Sequence, residues 1–271
     1  MAREAPVDVV VELIGGSEGP ARRVAEAALG AGRHLVTANK ALIAHHGGAL
    51  GQAAEAAGVT LAFEAAVAGG IPIIKVLREG LAGNRCNRVY GILNGTCNFI
   101  LTAMGESGRE FSDVLAEAQA LGYAEADPTF DVEGHDTAHK LTILATVAFG
   151  CALDFDAVHM EGIRHVSPVD IAFAEELGYR IKLLGIAAVT DAGVERRVHP
   201  CMVPATAPIA HVDGVFNAVV AHGDFVDTIV QEGRGAGEQP TASAVVADLA
   251  DIATGRATPA FGVPVADLEP L

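Results

Sequence analysis

VDVVVELI at residues 7–14, HLVTA at 34–38 and VTLAFE at 59–64 are three short runs rich in β-branched and other apolar residues. Between them, Pro20–Leu29 and Ala41–Ala57 carry apolar residues at helical spacing, and a glycine follows each segment. Short apolar runs that alternate with helices are typical of buried parallel strands with covering helices. The first part of the sequence therefore predicts an α/β unit built on a parallel sheet.

The pattern changes after Gly69-Gly70, where a longer α+β region begins. Periodicity predicts helices at 71–81, 96–104, 111–121, 136–149 and 240–253, and a strand at 87–93. Two further segments, Arg180–Pro204 and Val215–Gln231, alternate β-branched stretches with turns, which indicates antiparallel strands. The predicted fold class is thus α/β, with an incomplete Rossmann-type parallel sheet followed by an α+β domain.

Composition narrows the range of partners. The 271-residue chain has a formal net charge of −16, since 34 acidic residues outnumber 18 basic ones. Such a surface repels phosphate backbones and anionic lipid, so we expect neither nucleic acid nor a membrane as partner. The four cysteines are scattered, and no secretory signal or membrane-spanning run is found. These features predict a reduced, cytoplasmic protein.

The sequence lacks the G-x-G-x-x-G turn that opens a dinucleotide-binding domain. The nearest string, Gly233–Gly237, has Glu238 where the last glycine belongs. An apolar strand such as residues 7–14 needs neighbours on both edges, so we expect about 60 residues, or two βαβ units, to be missing from the front. A natural short protein is the competing interpretation.

Residues 121–141, LGYAEADPTFDVEGHDTAHKL, concentrate the charged groups. Asp136 and Lys140 are four positions apart, so a helix would place them on one face. The residues after Lys140 are apolar or Thr, which predicts partial burial. Burial lowers the pKa of a lysine and a nearby carboxylate raises it, so a lysine in this setting can be tuned for proton transfer. On spacing alone, an ordinary surface ion pair is the favoured interpretation.

Separate strings resemble homoserine dehydrogenases and occur in the order seen in that family. They are TANK at 37–40, EAAVAGGIPI at 64–73, GILNGT at 91–96, LGYAEADP at 121–128, DVEGHD at 131–136 with Lys140, GAG at 235–237 and PTAS at 240–243. The resemblance runs from about Val7 to Gly262. It implies an oxidoreductase that reversibly oxidises L-homoserine to L-aspartate 4-semialdehyde with NAD or NADP, in the synthesis of threonine, methionine and isoleucine.

The resemblance also implies site residues. Lys140 corresponds to the family's proton-transfer lysine, and Asp136 to the catalytic aspartate beside it. Glu125 corresponds to the residue that binds the substrate ammonium group. The remaining substrate-binding positions are Asp131, Tyr123, Gly95 and Thr96, and the cofactor contacts are Lys40, Gly122 and Gly237.

A possible sodium site is implied at Glu64, Val67, Gly69 and Ile71, because hard cations take oxygen ligands of this kind. Without the resemblance, a strand-end glutamate before a glycine turn is the favoured interpretation. His135 and His139 share the spacing of a zinc helix, but the sequence places no third ligand.

The resemblance divides the chain into a partial dinucleotide-binding domain (1–68), a substrate-binding and dimerisation domain (69–235) and a helix that returns to the first domain (236–271). It implies a homodimer formed through the sheet at residues 180–231. No C-terminal ACT domain follows, so we expect no feedback inhibition by threonine. Two alternatives stay open: a catalytically silent assembly subunit that lacks the phosphate-binding turn, and a different oxidoreductase with a similar substrate domain.

Overall fold

The computed structural model describes residues 6–270. Residues 1–5 and 271, which belong to the predicted terminal domains, lie outside that range. The strands are β1 Val9–Glu12, β2 His34–Thr37, β3 Leu61–Ala62, β4 Cys86–Ile92, β5 His159–Met160, β6 Tyr179–Thr190, β7 Gly193–Pro204, β8 Phe216–Gly223 and β9 Asp227–Arg234. The helices are α1 Pro20–Leu29, α2 Lys40–Ala57, α3 Ile73–Lys75, α4 Gly95–Ser107, α5 Phe111–Ala120, α6 Thr129–Val132, α7 His135–Phe149, α8 Pro168–Glu176 and α9 Glu238–Ala253.

Two sheets organise these elements. β1, β2 and β3 form a parallel sheet with β2 in the centre. The other six strands form a second sheet in the order β5-β7-β6-β4-β8-β9, which is antiparallel except for the β5–β7 pair. The predicted α/β fold class and the two antiparallel regions are therefore confirmed. Among the described helices, none has the length and apolar character needed to cross a membrane.

The prediction that the first strand is buried is wrong. Within residues 6–270, β1 pairs with β2 alone, and Val11, Leu13 and Ile14 are exposed. Its composition indicates a strand correctly, but burial depends on which neighbours cover it. At the end of β1 the buried Glu12 carboxylate accepts hydrogen bonds from Thr37 Oγ1 and Ile14 N, both at 2.6 Å. This carboxylate ties β1 to the end of β2.

Two predicted elements are shorter than expected. β3 ends at Ala62, and the chain then turns into a 3₁₀ helix over Glu64–Ala66. The helix predicted at 71–81 begins only after Pro72 and continues as a π-helical turn over Val76–Gly80. Pattern analysis also missed α6, α8 and the short strand β5. α8 carries a capping box between Ser167 and Asp170 with proline at its first position, so a sequence signal was present there.

α7 is the central helix of the fold. Every residue from Asp136 to Val147 is buried, because α2 and strands β4, β6 and β7 all pack against it. α9 returns to the parallel sheet, where Ala244 and Val245 join a small apolar cluster with Val36. After β3 the chain passes through Gly70 toward the antiparallel sheet, and it leaves that sheet at Arg234, the last residue of β9; Gly70 N donates to Arg234 O at 2.9 Å. The exit and the return of the chain are therefore adjacent.

The C-terminal segment packs onto α2 through glycines. Phe261 is buried, and its ring centroid lies 5.4 Å from that of Phe63. A Cβ atom at Gly47 would lie 2.8 Å from Leu153 Cδ1 and 3.1 Å from Phe261 Cζ. At the adjacent Gly48, a Cβ would meet nothing within 4 Å. The packed ring therefore requires a glycine at position 47, whereas it does not require one at position 48.

This difference predicts opposite effects for two adjacent substitutions. Gly48→Ala should raise the free energy of unfolding by up to about 1 kcal/mol, because alanine favours the helix. The free energy of unfolding of the Gly47→Ala variant should be about 1–3 kcal/mol lower than that of the Gly48→Ala variant, because the new methyl group overpacks the contact with Phe261. Urea unfolding of both variants measures the difference. Equal stability of the two would show that the Phe261 contact is not tightly packed.

Candidate active site

A cleft of about 540 Å³ opens at the carboxyl ends of β2 and β3, the edge where parallel sheets bind ligands. Its other walls come from helices α6 and α7, from the start of α4, from the loop that follows α5, and from the turn between β9 and α9. The residues implied by the resemblance that line it are Lys40, Gly69, Gly95, Thr96, Gly122, Tyr123, Asp131, Asp136, Lys140 and Gly237. Residues from six separate stretches of sequence are thus brought to one cleft.

Asp136 lies at the centre of the charged groups. Lys140 Nζ donates to Asp136 Oδ2 at 2.7 Å and to the carbonyl oxygen of Leu93 at 2.6 Å. Lys40 Nζ lies 3.1 Å from the other carboxylate oxygen, Oδ1. Lys140 is only 8% exposed, so its predicted partial burial is confirmed and the surface ion pair is excluded. One carboxylate therefore holds two ammonium groups, from α2 and from α7.

The two lysines determine the charge of Asp136. Burial by itself would raise the pKa of this carboxyl group, but Lys140 and Lys40 outweigh burial and hold the pKa at about 2. Asp136 is consequently ionised at neutral pH. The three side chains together carry a net positive charge inside the cleft, which suits a reaction that develops negative charge on an oxygen atom.

Sequence analysis missed Asn94, which contacts both acids of the cleft. Its Nδ2 donates to Asp131 Oδ1 and to Asp136 Oδ2, each at 2.8 Å. Its Oδ1 accepts from Cys97 N at 2.8 Å and so caps α4. An Asn directly before a predicted helix is an N-cap signal, so the string GILNGT already contained this information. Asn217 and Arg234 also line the cleft, and no sequence signal marked them.

One wall of the cleft is formed by Asp131 and the first turn of α4. Burial raises the pKa of Asp131, while the hydrogen bond from Asn94 lowers it. Thr96 Oγ1 donates to the carbonyl oxygen of Tyr123 at 2.7 Å, which fixes the loop after α5 against α4. The free backbone N–H groups at the start of a helix favour an anion. An acid and a helix N-terminus therefore occupy the same wall.

Glu125 is not brought to the cleft. It is exposed, it is absent from the lining residues, and its described contact is the bond that its carbonyl oxygen accepts from Gln119 Nε2 at 3.0 Å. Asp131, which follows Glu125 by six residues, lines the cleft. The implied role of Glu125 therefore stays a prediction.

The sodium site is not supported by the geometry. The two carboxylate oxygens of Glu64 accept hydrogen bonds from Ile74 N and Lys75 N, both at 2.9 Å, so the side chain caps α3. The carbonyl oxygen of Ile71 accepts from Ile73 N at 2.7 Å. Val67 is buried and does not line the cleft. Burial raises the pKa of Glu64 to about 7, which further weakens it as an anionic ligand.

Another part of the cleft is lined by glycines. A Cβ at Gly69 would lie 2.5 Å from the carbonyl oxygen of Gly235, so these two backbone segments require glycine to approach each other. Gly237 has φ +117° and precedes α9, whose first turn faces the cleft. Lys40 and Gly122 border the same space. The small size of the glycines in this part of the cleft, and the position of the cleft at the edge of the parallel sheet, fit the nicotinamide end of a dinucleotide.

Comparison with protein families agrees with this geometry. Residues 72–250 match the family model described as homoserine dehydrogenase, and residues 1–64 match the model for the homoserine dehydrogenase NAD binding domain. The homoserine dehydrogenase of Pseudomonas aeruginosa is 59% identical over 246 residues, which are 91% of this chain and 56% of that protein. That of Neisseria gonorrhoeae is 57% identical over 247 residues, 91% of this chain and 57% of the relative. The chain thus spans somewhat more than half the length of these relatives.

Solved structures give the same result. A homoserine dehydrogenase from Thiobacillus denitrificans superposes with a TM-score of 0.94 at 53% identity, over 98% of this chain and 63% of that chain. A hyperthermophilic archaeal homoserine dehydrogenase in complex with NADPH gives a TM-score of 0.80 at 30% identity, over 92% of this chain and 72% of that chain. With both family models matched and the cleft in place, the chain belongs to the homoserine dehydrogenase family.

Proposed function

We propose that this chain catalyses the reversible oxidation of L-homoserine to L-aspartate 4-semialdehyde with NAD or NADP, in aspartate-family amino-acid synthesis. The observation that carries the proposal is Asp136 held between Lys140 and Lys40 in a cleft at the edge of the parallel sheet. Family membership and the NADPH complex of the archaeal relative support the choice of substrate and cofactor.

Oxidation of an alcohol removes a hydride from carbon and a proton from oxygen. The nicotinamide ring, when bound, supplies the hydride acceptor, so the protein needs no nucleophile of its own. In oxidation Lys140 accepts the hydroxyl proton as a neutral amine and becomes an ammonium group, and in reduction that ammonium group returns the proton to the aldehyde oxygen. Asp136 and the Leu93 carbonyl oxygen fix the Lys140 ammonium group in place. Lys40 adds a second positive charge that stabilises negative charge on the reacting oxygen.

The amino-acid end of the substrate needs one acid and one anion-binding group. In this proposal Asp131, which lines the cleft, receives the ammonium group, and the first turn of α4 at Gly95 and Thr96 binds the carboxylate. The resemblance assigns the ammonium group to Glu125 instead and gives Asp131 only a general place in the substrate pocket. Tyr123 borders this part of the cleft, and Gly122 and Gly237 border the cofactor. Recognition of both charged ends distinguishes L-homoserine from a hydroxy acid that has no amino group.

Replacing Lys140 tests the proton-transfer step. Lys140→Met should lower kcat by about 10²–10⁴-fold, the range typical of a lost general acid–base group. Lys182→Met is the matched control, since Lys182 is also a buried lysine but bonds Asn98, Val212 O and Asp213 away from the cleft. It should lower thermal stability and leave kcat of the folded protein unchanged. Initial rates with L-homoserine and NADP or NAD measure both variants.

The outcomes separate two functions. Near-normal turnover in Lys140→Met would remove Lys140 from the mechanism. No turnover by the unaltered chain, at saturating substrate and cofactor, would contradict the proposed enzyme. That second result would instead favour a catalytically silent assembly subunit, an interpretation that rests on the missing G-x-G-x-x-G string.

Two acid-to-amide variants determine which carboxylate binds the ammonium group. Asp131→Asn should raise KM for L-homoserine by about tenfold or more, because a hydrogen bond to a charged group contributes roughly 1.5–3 kcal/mol. Glu125→Gln should raise KM less, since Glu125 is exposed outside the cleft lining. A larger increase for Glu125→Gln would show that this side chain moves into the cleft when substrate binds.

We also propose a homodimer formed through the six-stranded sheet, and a cytoplasmic location. The face of that sheet opposite α7 carries a separate apolar cluster that includes Ile92, Ile186 and Val220, and Val230, which pairs with Val220 across β8 and β9, is exposed. All four cysteines are free, as in reducing compartments. Analytical ultracentrifugation should give twice the chain mass at micromolar concentration, and a monomer at that concentration would contradict the dimer.

A further inference from the structure

One buried amide connects the two acids of the cleft. Asn94 is 5% exposed, and its single nitrogen donates one hydrogen to Asp131 and the other to Asp136, both at 2.8 Å. Its oxygen accepts the Cys97 N–H at the start of α4. Both hydrogens of this amide are therefore used, one on Asp131 of α6 and one on Asp136 of α7, and the amide oxygen binds α4.

Two carboxylates held this close together normally repel each other. One of them then takes up a proton that the pair shares, as in the aspartic-protease dyad. In this cleft an amide nitrogen occupies the position between the two acids and supplies one hydrogen to each. Lys140 and Lys40 face Asp136 from α7 and α2, and His139 lies on α7 one residue before Lys140. The two lysines lower the pKa of Asp136, and the hydrogen bonds from the amide favour the ionised form of both acids.

We infer that Asn94 is a positioning residue that keeps Asp131 and Asp136 ionised and separate in function. Asp136 is then free to hold Lys140, and Asp131 is free to receive the substrate ammonium group. This inference rests on the proposed function, because both roles refer to that reaction. It goes beyond helix capping, since the cap uses only the oxygen of Asn94 and the acids use only its nitrogen.

Asn94→Asp separates the two roles. Aspartate is as good an N-cap as asparagine, so the Cys97 N–H keeps its acceptor, but both donated hydrogens are lost. The loss of donors and the third carboxylate raise the pKa of the acids, because hydrogen bonds to a charged carboxylate favour the ionised form. kcat falls as the acids become protonated, so the acidic limb of the kcat–pH profile should move to higher pH by about one to two units.

A second variant covers the case in which Asn94→Asp does not fold. Serine also caps helices but is too short to reach both acids, and it adds no charge. Asn94→Ser should shift the acidic limb in the same direction by a smaller amount, and kcat at pH 7 should fall by about ten- to hundredfold. Ser167→Ala is the control, because it removes the cap of α8 and touches no residue of the cleft. It should lower the melting temperature without moving the pH profile.

The readouts separate failure of this inference from failure of the proposed function. A loss of stability with an unmoved pH profile in both Asn94 variants would reduce Asn94 to a helix cap and overturn the inference. If the unaltered chain does not oxidise L-homoserine, ¹³C NMR titration of the Asp131 and Asp136 carboxyl groups still tests it. Higher carboxyl pKa values in Asn94→Ser than in the unaltered chain support the inference, and equal values contradict it.

Discussion

The site depends on the negative charge of Asp136, which is stable in the interior only because ion pairs and a hydrogen bond surround the carboxylate. Asp136 is buried on the most enclosed helix of the fold, where an isolated carboxylate would be too costly to keep ionised. Two ammonium groups and one amide hydrogen balance it. Removing Asp136 would leave the ammonium group of Lys140 buried without its carboxylate partner. The packing of α7 against both α2 and the antiparallel sheet is therefore also what assembles the catalytic charges.

Local secondary structure positions each partner of Asp136. Lys140 follows it by one helical turn, and Lys40 begins α2 directly after the cap residue Asn39. Asn94 caps α4 at the end of β4. Both asparagines thus stand where a strand ends and a helix begins, the position at which side-chain oxygens satisfy free N–H groups. The same junctions that end the strands place functional groups at one edge of the molecule.

Much of the fold could be predicted from the sequence. The period of apolar residues located the strands and long helices, and the limits of α1 agree with the prediction at both ends. Burial of β1 could not be predicted, because it depends on distant neighbours and not on its own residues. The π-helical turn after Lys75 and the four-residue α6 are too short to give a periodic signal.

The site was predicted less completely. Lys140, Asp136 and Asp131 were named from the ordered strings, and the structure brings all three together. The cation site at Glu64 was taken from the resemblance and is not supported by the geometry, because the Glu64 carboxylate caps α3. Asn94 was missed because its two acid partners lie 37 and 42 residues away, a relation that no local pattern records.

The backbone bond from Gly70 to Arg234 has a topological consequence. Everything between these residues, including the whole antiparallel sheet, is an insertion into the parallel unit whose two ends meet. Closing so long an excursion costs little additional chain entropy, because that cost grows only with the logarithm of length. Adding or removing residues in the intervening stretch would therefore change the closure entropy of the parallel unit only slightly.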